Sequence, residues 1–97
     1  MAEVRWTRQA AGDLTAITEF IAQDSPHYAS LFVIDVLTVV ERLDCFPESG
    51  RIVSEKHDPA IREIILGNYR IIYRVRDGVD LLTIYHGARL LDPSQLD

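Results

Sequence analysis

Arginines crowd one short stretch of this sequence, and their chemistry is its first functional signal. Residues 60–76 carry Arg62, Arg70, Arg74 and Arg76 against Glu63 as the one acid. A guanidinium is planar and permanently charged, and its N–H donors match the oxygens of a carboxylate or a phosphate. We therefore expect an anion or an acidic partner to dock on this stretch.

The elements that must position these arginines are β-strands. After the turn at residues 47–50 the spacing of the apolar residues changes from 3.6 to 2. Three strands are predicted, at Ile61–Leu66, Tyr69–Arg76 and Val79–His86. Gly67-Asn68 and Asp77-Gly78 join them, and Asp-Gly between alternating strands is typical of a tight hairpin. The second half of the chain is therefore predicted to form an antiparallel meander.

The hairpin at Asp77-Gly78 decides which side chains share a face of the sheet. If its loop has two residues, the facing pairs on the exposed side are Arg70 with Tyr85, Ile72 with Thr83, Arg74 with Leu81 and Arg76 with Val79. Arg89 joins Tyr85 on that side if the last strand continues. The apolar side then pairs Tyr69 with His86, Ile71 with Ile84 and Tyr73 with Leu82. The arginines are thus expected to project together into solvent.

The register of the earlier hairpin is left open by the sequence. A two-residue loop at Gly67-Asn68 turns Arg62 toward the core, whereas a three-residue loop places Arg62 beside Arg70. Either choice aims one of Arg62 and Glu63 at the core side of the sheet.

Two helices are predicted before the sheet. A short strand at Glu3–Trp6 leads to Thr7, the expected N-cap of a helix over residues 8–23. Ser25 caps a second helix that starts at Pro26 and ends before Pro47, because proline suits only the first helical turn. The apolar residues at helical spacing are Ala10, Leu14, Ile17 and Ile21, then Ala29, Phe32, Val33, Val36, Val40 and Leu43. We expect an α+β fold in which this helical hairpin covers one face of the meander and the other face is bare.

Composition limits the classes of protein to consider. The 97 residues, 47% hydrophobic and 26% charged, fit a single domain over residues 1–97. No apolar run approaches the roughly 20 residues of a membrane span, and no leader precedes Trp6, so a cytoplasmic location is expected. One cysteine, Cys45, and three scattered histidines predict no disulfide, no metal site and no cofactor. The net charge of −5 disfavours a surface that binds polyanions throughout.

Several of these residues also have a purely structural explanation. An outward strand face is polar in any half-solvated sheet, and arginine stems lying on apolar neighbours keep such a face soluble. His86 is expected to pack beside Tyr69 at the core edge rather than act as a base. Asp13 and Glu19 are expected on the solvated face of a helix, and Cys45 is expected to be buried.

Taken together, the motifs along the chain resemble toxins of the RelE/ParE superfamily of bacterial type II toxin–antitoxin systems, most closely the ParE-like branch. The resemblance covers nearly the whole chain. Its residues are Trp6, Thr7, Ala10, Asp13, Leu14, Ile17, Ile21-Ala22, Asp24-Ser25-Pro26, Ala29, Phe32, Phe46-Pro47, Ser49-Gly50-Arg51, Ile61-Arg62-Glu63, the run from Tyr69 to Val75, and His86-Gly87-Ala88-Arg89. The fold known for the superfamily, a helical hairpin on an antiparallel sheet, agrees with the pattern.

The resemblance implies one of two activities. RelE-like members are ribosome-dependent mRNA endoribonucleases, and in that case Arg70, Arg89 and Tyr85 are the candidate catalytic residues. Lys56 is the only lysine, however, and arginine is a poor general base because its pKa exceeds about 12. ParE-like members inhibit DNA gyrase, for which a binding surface suffices. We favour this activity, with growth arrest and plasmid stabilisation as its consequences and without stable nucleic-acid binding by the chain alone. The expected target-binding residues are Arg70, Arg74, Arg76, Tyr85 and Arg89.

Both activities imply a cognate antitoxin as a second partner. The C-terminal segment of such an antitoxin folds on the toxin, with acidic residues on basic groups and apolar residues in grooves. The candidate antitoxin-binding residues are Arg62, Arg70 and Arg74 for charge, and Leu14, Ile17 and Phe32 for apolar contact, although these last three also fit a plain core. A non-toxic protein-binding module is a third reading of the same sequence.

Overall fold

The computed structural model describes residues 2–87 of the chain. Strand β1 (Val4–Trp6) is followed by helices α1 (Arg8–Asp24) and α2 (Pro26–Cys45). Four further strands are β2 (Arg51–Ile52), β3 (Ile61–Leu66), β4 (Tyr69–Val75) and β5 (Val79–His86). The predicted α+β order of strand, helical hairpin and meander is confirmed, and β2 is an addition to it. Arg89 lies outside the described residues, as does the segment from Leu91 to Asp97, which the sequence predicts to be a frayed tail.

The predicted caps start both helices. The Thr7 hydroxyl accepts a hydrogen bond from the Ala10 N–H at 3.1 Å, and the Ser25 hydroxyl accepts one from the Tyr28 N–H at 3.1 Å. Each bond satisfies a backbone donor that has no partner within its own helix. The Thr7 hydroxyl also donates to the Leu81 carbonyl at 2.6 Å, so the cap of α1 is fixed directly to β5.

The five strands form one sheet in the order β1-β5-β4-β3-β2, with β1 parallel to β5 and the other neighbours antiparallel. Arg5 on β1 holds the edge of this sheet. Its Nε donates to an Asp80 carboxylate oxygen at 2.6 Å, and its terminal nitrogens donate to the carbonyls of Arg76 and Asp77. Strand β1 is therefore hydrogen-bonded through Arg5 to the loop end of the β4–β5 hairpin.

The β4–β5 hairpin differs from its prediction at the turn. Val75 faces Val79, so the loop comprises residues 76–78, and a register shift follows between Ile72 and Tyr73. The predicted partners of Arg74, Arg76 and Tyr73 are therefore wrong: Arg74 faces Asp80, Tyr73 faces Leu81, and Arg76 lies in the loop. Asp77 and Gly78 both have positive φ, as the Asp-Gly signal predicts, but the Arg76 N–H bonds to the Gly78 carbonyl and adds a third residue to the loop. The pairs Tyr69–His86, Arg70–Tyr85, Ile71–Ile84 and Ile72–Thr83 are confirmed.

The β3–β4 hairpin adopts the two-residue loop at Gly67-Asn68, with Leu66 facing Tyr69. This register settles the open question about Arg62 and Glu63. Glu63 faces Ile72 and lies on the side of the sheet away from the helices, while Arg62 faces Tyr73 on the helix side. Because side chains alternate along a strand, Arg62 cannot join Arg70 on one face.

The main core lies between the helices and the sheet. Its buried residues are Ala10, Phe32, Val36, Leu43, Ile71, Tyr73, Val79, Leu81 and Ile84. A second apolar cluster of Val53, Ile61 and Ile72, with Leu82 and Tyr85 packed against it, lies on the opposite face. The expectation that this face is bare is therefore wrong, because the segment after β2 supplies Val53 to cover it.

Asp13 on helix α1 also differs from its prediction. One carboxylate oxygen of Asp13 accepts from the Thr83 hydroxyl at 2.5 Å and the Ile84 N–H at 3.1 Å. Asp13 thus fastens α1 to β5 and is not a solvated helix acid.

Cys45 is exposed at the end of α2, so its predicted burial is wrong. The rings of Tyr69 and His86 meet edge-on with centroids 5.4 Å apart, which confirms the expected packing of His86. Neither helix in residues 2–87 combines the length and the apolar character that crossing a membrane requires.

Candidate functional site

The side chain of Arg70 is the centre of the most highly connected polar cluster in the described part of the chain. Arg70 lies on β4, on the face of the sheet opposite the helices, and only 12% of its side chain is exposed. A guanidinium has five N–H donors, and in this structure all five are engaged. The bonds run from Nε to Glu63 Oε1 (2.9 Å), from Nη1 to Glu55 Oε2 (2.8 Å) and Tyr85 Oη (2.9 Å), and from Nη2 to Glu55 Oε1 (3.1 Å) and Glu63 Oε2 (2.7 Å).

Glu63 forms the inner half of this cluster. Its side chain is 2% exposed, and it meets Arg70 through two parallel hydrogen bonds. Arg51 on β2 approaches the same carboxylate at 3.4 Å, but 70% of its own side chain is exposed. A buried carboxylate is tolerated only when it is paired and hydrogen-bonded, so Arg70 is the group that allows Glu63 to be buried.

Glu55 forms the outer half of the cluster. It belongs to the segment between β2 and β3, and 32% of its side chain is exposed. The bonds from Arg70 lower the pKa of the Glu55 carboxyl from 4.5 to about 2. In return, the bonds to Glu55 and Glu63 raise the pKa of Arg70 above its already high ordinary value.

Tyr85 holds the guanidinium from the neighbouring strand. The central carbon of the Arg70 guanidinium lies 5.5 Å from the centre of the Tyr85 ring, and the Tyr85 hydroxyl accepts a bond from the same group. The predicted facing pair of Arg70 and Tyr85 is thus a direct contact. We name Arg51, Glu55, Glu63, Arg70 and Tyr85 the Arg70 cluster.

The other predicted arginines do not join this cluster to form one basic surface. Arg62 lies on the helix side, where its Nη1 donates to the carbonyls of Glu48 and Gly50 at 3.2 and 2.9 Å. Arg76 is exposed in the β4–β5 loop, and Arg74 is half-buried opposite Asp80 and Ile61. The expectation that guanidinium groups project together into solvent is therefore wrong. Arg70 is enclosed by carboxylates, and Arg89 lies outside the described residues.

The predicted apolar contact residues are part of the main core. Phe32 is 8% exposed, and Leu14 and Ile17 are half-buried against the same cluster. Sequence reasoning missed an exposed apolar row on α2, which consists of Tyr28, Leu31, Ile34 and Leu37 at 65%, 40%, 57% and 49% exposure. These residues recur every three positions, so they form a row that winds around α2 instead of following one side of it. The surplus of apolar residues beyond one buried stripe was the signal for them.

A cavity of about 570 Å³ opens beside the Arg70 cluster. Glu55, Glu63 and Arg70 line one part of it, and Tyr69 and His86 line another. Its lining includes two guanidinium groups, of Arg51 and Arg70, and two carboxylates, of Glu55 and Glu63, and such a lining suits recognition of a charged side chain. Within residues 2–87, no group of three side chains is arranged to hold a metal ion.

The structure is a small α+β domain with a charged cluster on one sheet face and apolar side chains exposed on a helix. The model of the family described as the ParE toxin of the type II toxin–antitoxin system parDE matches residues 4–91. The chain therefore belongs to the ParE toxin family of type II toxin–antitoxin systems.

Individual relatives agree with this membership. The chain is 39% identical over 92 residues to Toxin RelE2 of Caulobacter vibrioides, a match that covers 93% of this chain and 100% of the relative. It is 35% identical over 85 residues to Putative toxin Y4kP of Sinorhizobium fredii, covering 86% of this chain and 85% of the relative. A solved structure of the chromosomal ParDE TA system from P. aeruginosa superposes with a TM-score of 0.71 at 27% identity, covering 89% of this chain and 96% of that one.

Proposed function

We propose that this toxin arrests growth by binding DNA gyrase and that a cognate antitoxin neutralises it. The observation that carries the proposal is the complete pairing of Arg70 with carboxylates and Tyr85. Cleavage of RNA requires fixed cations at the phosphate and a group that accepts the 2′-hydroxyl proton. At Arg70 an incoming phosphate meets Glu55 and Glu63 instead, which supports inhibition by binding over catalysis.

The target-binding residues proposed from the sequence differ in accessibility. Arg76 is exposed in the β4–β5 loop and is available for contact with a partner, while Arg70 and Tyr85 are engaged with each other. Arg74, Tyr85 and Arg89 remain part of the proposal. We expect Arg76 to contribute most to initial binding, because an exposed arginine loses little existing contact when it docks.

The antitoxin is proposed from the family and from the helix surface. The solved P. aeruginosa structure is that of a chromosomal ParDE toxin–antitoxin system. The exposed row of Tyr28, Leu31, Ile34 and Leu37 supports a protein partner, because covering apolar side chains and removing them from water lowers the free energy. Leu14, Ile17 and Phe32, which pack in the main core, remain the proposed apolar contributors. The proposed charged contributors are still Arg62, Arg70 and Arg74.

Cleavage of mRNA on the ribosome is the second candidate activity, because one relative bears the name RelE2. Two assays on the purified chain separate the candidates: DNA supercoiling by gyrase, and cleavage of mRNA on programmed ribosomes. We expect loss of supercoiling and intact mRNA. Cleavage with unchanged supercoiling would reverse the ranking, and a chain that does not arrest growth would favour the non-toxic binding module.

An arginine pair sharpens the gyrase test. Arg76→Gln removes an exposed charge from the proposed binding surface, and Arg8→Gln removes an exposed charge from the start of α1. We expect Arg76→Gln to raise the toxin concentration needed for half-inhibition about fivefold, as for a moderate interface contact. Arg8→Gln should leave that concentration unchanged. Equal effects of the two variants would remove Arg76 from the target-binding surface.

A further inference from the structure

We propose that Glu55 is an internal occupant of a carboxylate-binding site on the outer edge of Arg70, and that an acidic side chain of a partner protein displaces it. Glu55 and the partner's carboxylate compete for the same N–H groups of Arg70, and Glu55 occupies them until a partner binds. This inference rests on the proposed function in one respect only, namely that the partner is a protein.

The two carboxylates on Arg70 have different structural roles. Glu63 is 2% exposed and takes Nε and one hydrogen of Nη2. If Arg70 left Glu63, a buried carboxylate would lose its main partner, which is strongly unfavourable. The pair of Arg70 and Glu63 is therefore expected to stay intact when a partner binds. It fixes the direction in which Nη1 and Nη2 of Arg70 point.

The outer edge is held in a way that another carboxylate reproduces without distortion. Nη1 and Nη2 of Arg70 donate to the two oxygens of Glu55 at 2.8 and 3.1 Å, which is the two-bond fork that arginine forms with any carboxylate. Glu55 comes from the segment between β2 and β3 and is 32% exposed, so it returns to water readily when it is displaced. Exchange of Glu55 for a partner's carboxylate conserves every hydrogen bond of Arg70.

Space and rigidity at this edge also fit exchange. The cavity of about 570 Å³ is bordered by Glu55 and Arg70, so an incoming side chain reaches the fork from solvent. Tyr85 accepts one Nη1 hydrogen and lies under the guanidinium, so the fork keeps its orientation while its outer partner changes. A preorganised donor pair of this kind lowers the entropic cost of binding.

The charge balance favours a protein carboxylate over a nucleic acid. Arg51 and Arg70 balance Glu55 and Glu63, so a carboxylate that takes the place of Glu55 on Arg70 adds only one negative charge to the cluster. A nucleic acid brings a row of phosphates to a protein whose net charge is −5. The structure therefore favours a single aspartate or glutamate within a partner segment.

The test compares two charge-removing variants with one probe. Glu55→Gln weakens the internal competitor, and Glu41→Gln removes an exposed charge from α2 as a control. Both are titrated with a hexaglutamate peptide at low salt, and binding is followed through the backbone amide resonance of residue 70, which every variant retains. We expect Glu55→Gln to bind the peptide about fivefold more tightly than the natural chain, since a larger fraction of molecules has an open fork. Glu41→Gln should match the natural chain.

Two further arms make the outcome decisive. Arg70→Lys in the Glu55→Gln background keeps the positive charge beside Glu63 but loses the fork, and should abolish the gain. A uridine hexanucleotide should show no gain with Glu55→Gln. An unchanged peptide affinity in a folded Glu55→Gln variant, or in Glu55→Ala if the first does not fold, overturns the proposal, as does a gain for the RNA alone. This experiment does not measure gyrase inhibition, so failure of this inference can be distinguished from failure of the proposed function.

Discussion

At the scale of single residues, the surroundings of Arg70 are set by two acids. The sequence predicts that Arg70 projects into solvent, but the structure encloses it between Glu55 and Glu63. A guanidinium in that setting has an orientation fixed by its partners and little unshared charge for a phosphate. In the exchange proposed above, Glu55 is the carboxylate that leaves, because it is partly exposed while Glu63 is buried.

The buried pair makes a prediction about stability. Glu63→Gln leaves Arg70 without its inner charge partner while keeping the shape of the side chain, and we expect a loss of about 3 kcal/mol in the free energy of unfolding. Urea denaturation measures the loss. Glu41→Gln, exposed on α2, should change the same quantity by less than about 0.5 kcal/mol. Equal midpoints for the two variants would contradict the importance of the inner pair.

The outer pair makes a prediction about pH. The pKa of Glu55 is lowered from 4.5 to about 2 in the folded chain, so the unfolded chain binds this proton first as the pH falls. The stabilisation from Glu55 is therefore complete above pH 4.5 and declines as the pH falls toward 2. Because Glu55 is about one-third exposed, its size should be under about 1 kcal/mol.

Comparison of the natural chain with Glu55→Gln isolates that contribution. The difference in their free energies of unfolding should be constant from pH 7 to pH 5 and should shrink between pH 4.5 and pH 2. A difference that grows on acidification would show that Glu55 is not held ionised by Arg70.

At the scale of elements, the helices and the sheet are joined by polar contacts as well as by the core. The Thr7 cap bonds to β5, and Asp13 accepts from Thr83 and from the Ile84 N–H. These contacts fix where α1 lies along β5. The apolar contacts of the core alone would allow α1 to slide, because hydrophobic burial is not directional.

The Asp13 contact is testable against a neighbouring acid on the same helix. Asp13→Ala removes a charged acceptor from two donors, and we expect it to lower the free energy of unfolding by about 2 kcal/mol. Glu19→Ala, an exposed acid of α1, should change it by less than about 0.5 kcal/mol. Thermal and urea denaturation of both variants give the comparison, and matching losses would place Asp13 back among the solvated acids.

At the scale of the whole molecule, the exposed apolar row and the Arg70 cluster lie on different surfaces. Residues 1–50 carry three arginines against eight acids, while residues 51–97 are balanced. Helix α2 exposes its apolar row within the acidic half, and the Arg70 cluster lies on the opposite side of the sheet. Two separate surfaces are therefore available to partners.

The α2 row makes a prediction about partner binding. Ile34→Ser changes a side chain that is 57% exposed, so we expect folding to be unaffected and affinity for the antitoxin encoded with this toxin to fall at least fivefold. Ser30→Ala, another exposed site on α2, should leave the affinity unchanged. Calorimetric titration of the purified pair measures both, and an Ile34→Ser variant with full affinity would remove this row from the interface.

The sequence by itself determined the helical hairpin, its two caps, the three long strands and the superfamily, because periodicity, caps and turns are local signals. Only the tertiary structure decided the length of the loop at residues 76–78, the register that separates Arg62 from Arg70, and the placement of Glu55 on Arg70. One residue more in the loop changes the facing pairs only as far as the register shift between Ile72 and Tyr73, beyond which the predicted pairs return. Glu55 meets Arg70 through an irregular segment without a periodic pattern. Charge counts along the chain therefore located the arginines, but the folded contacts determined what those arginines bind.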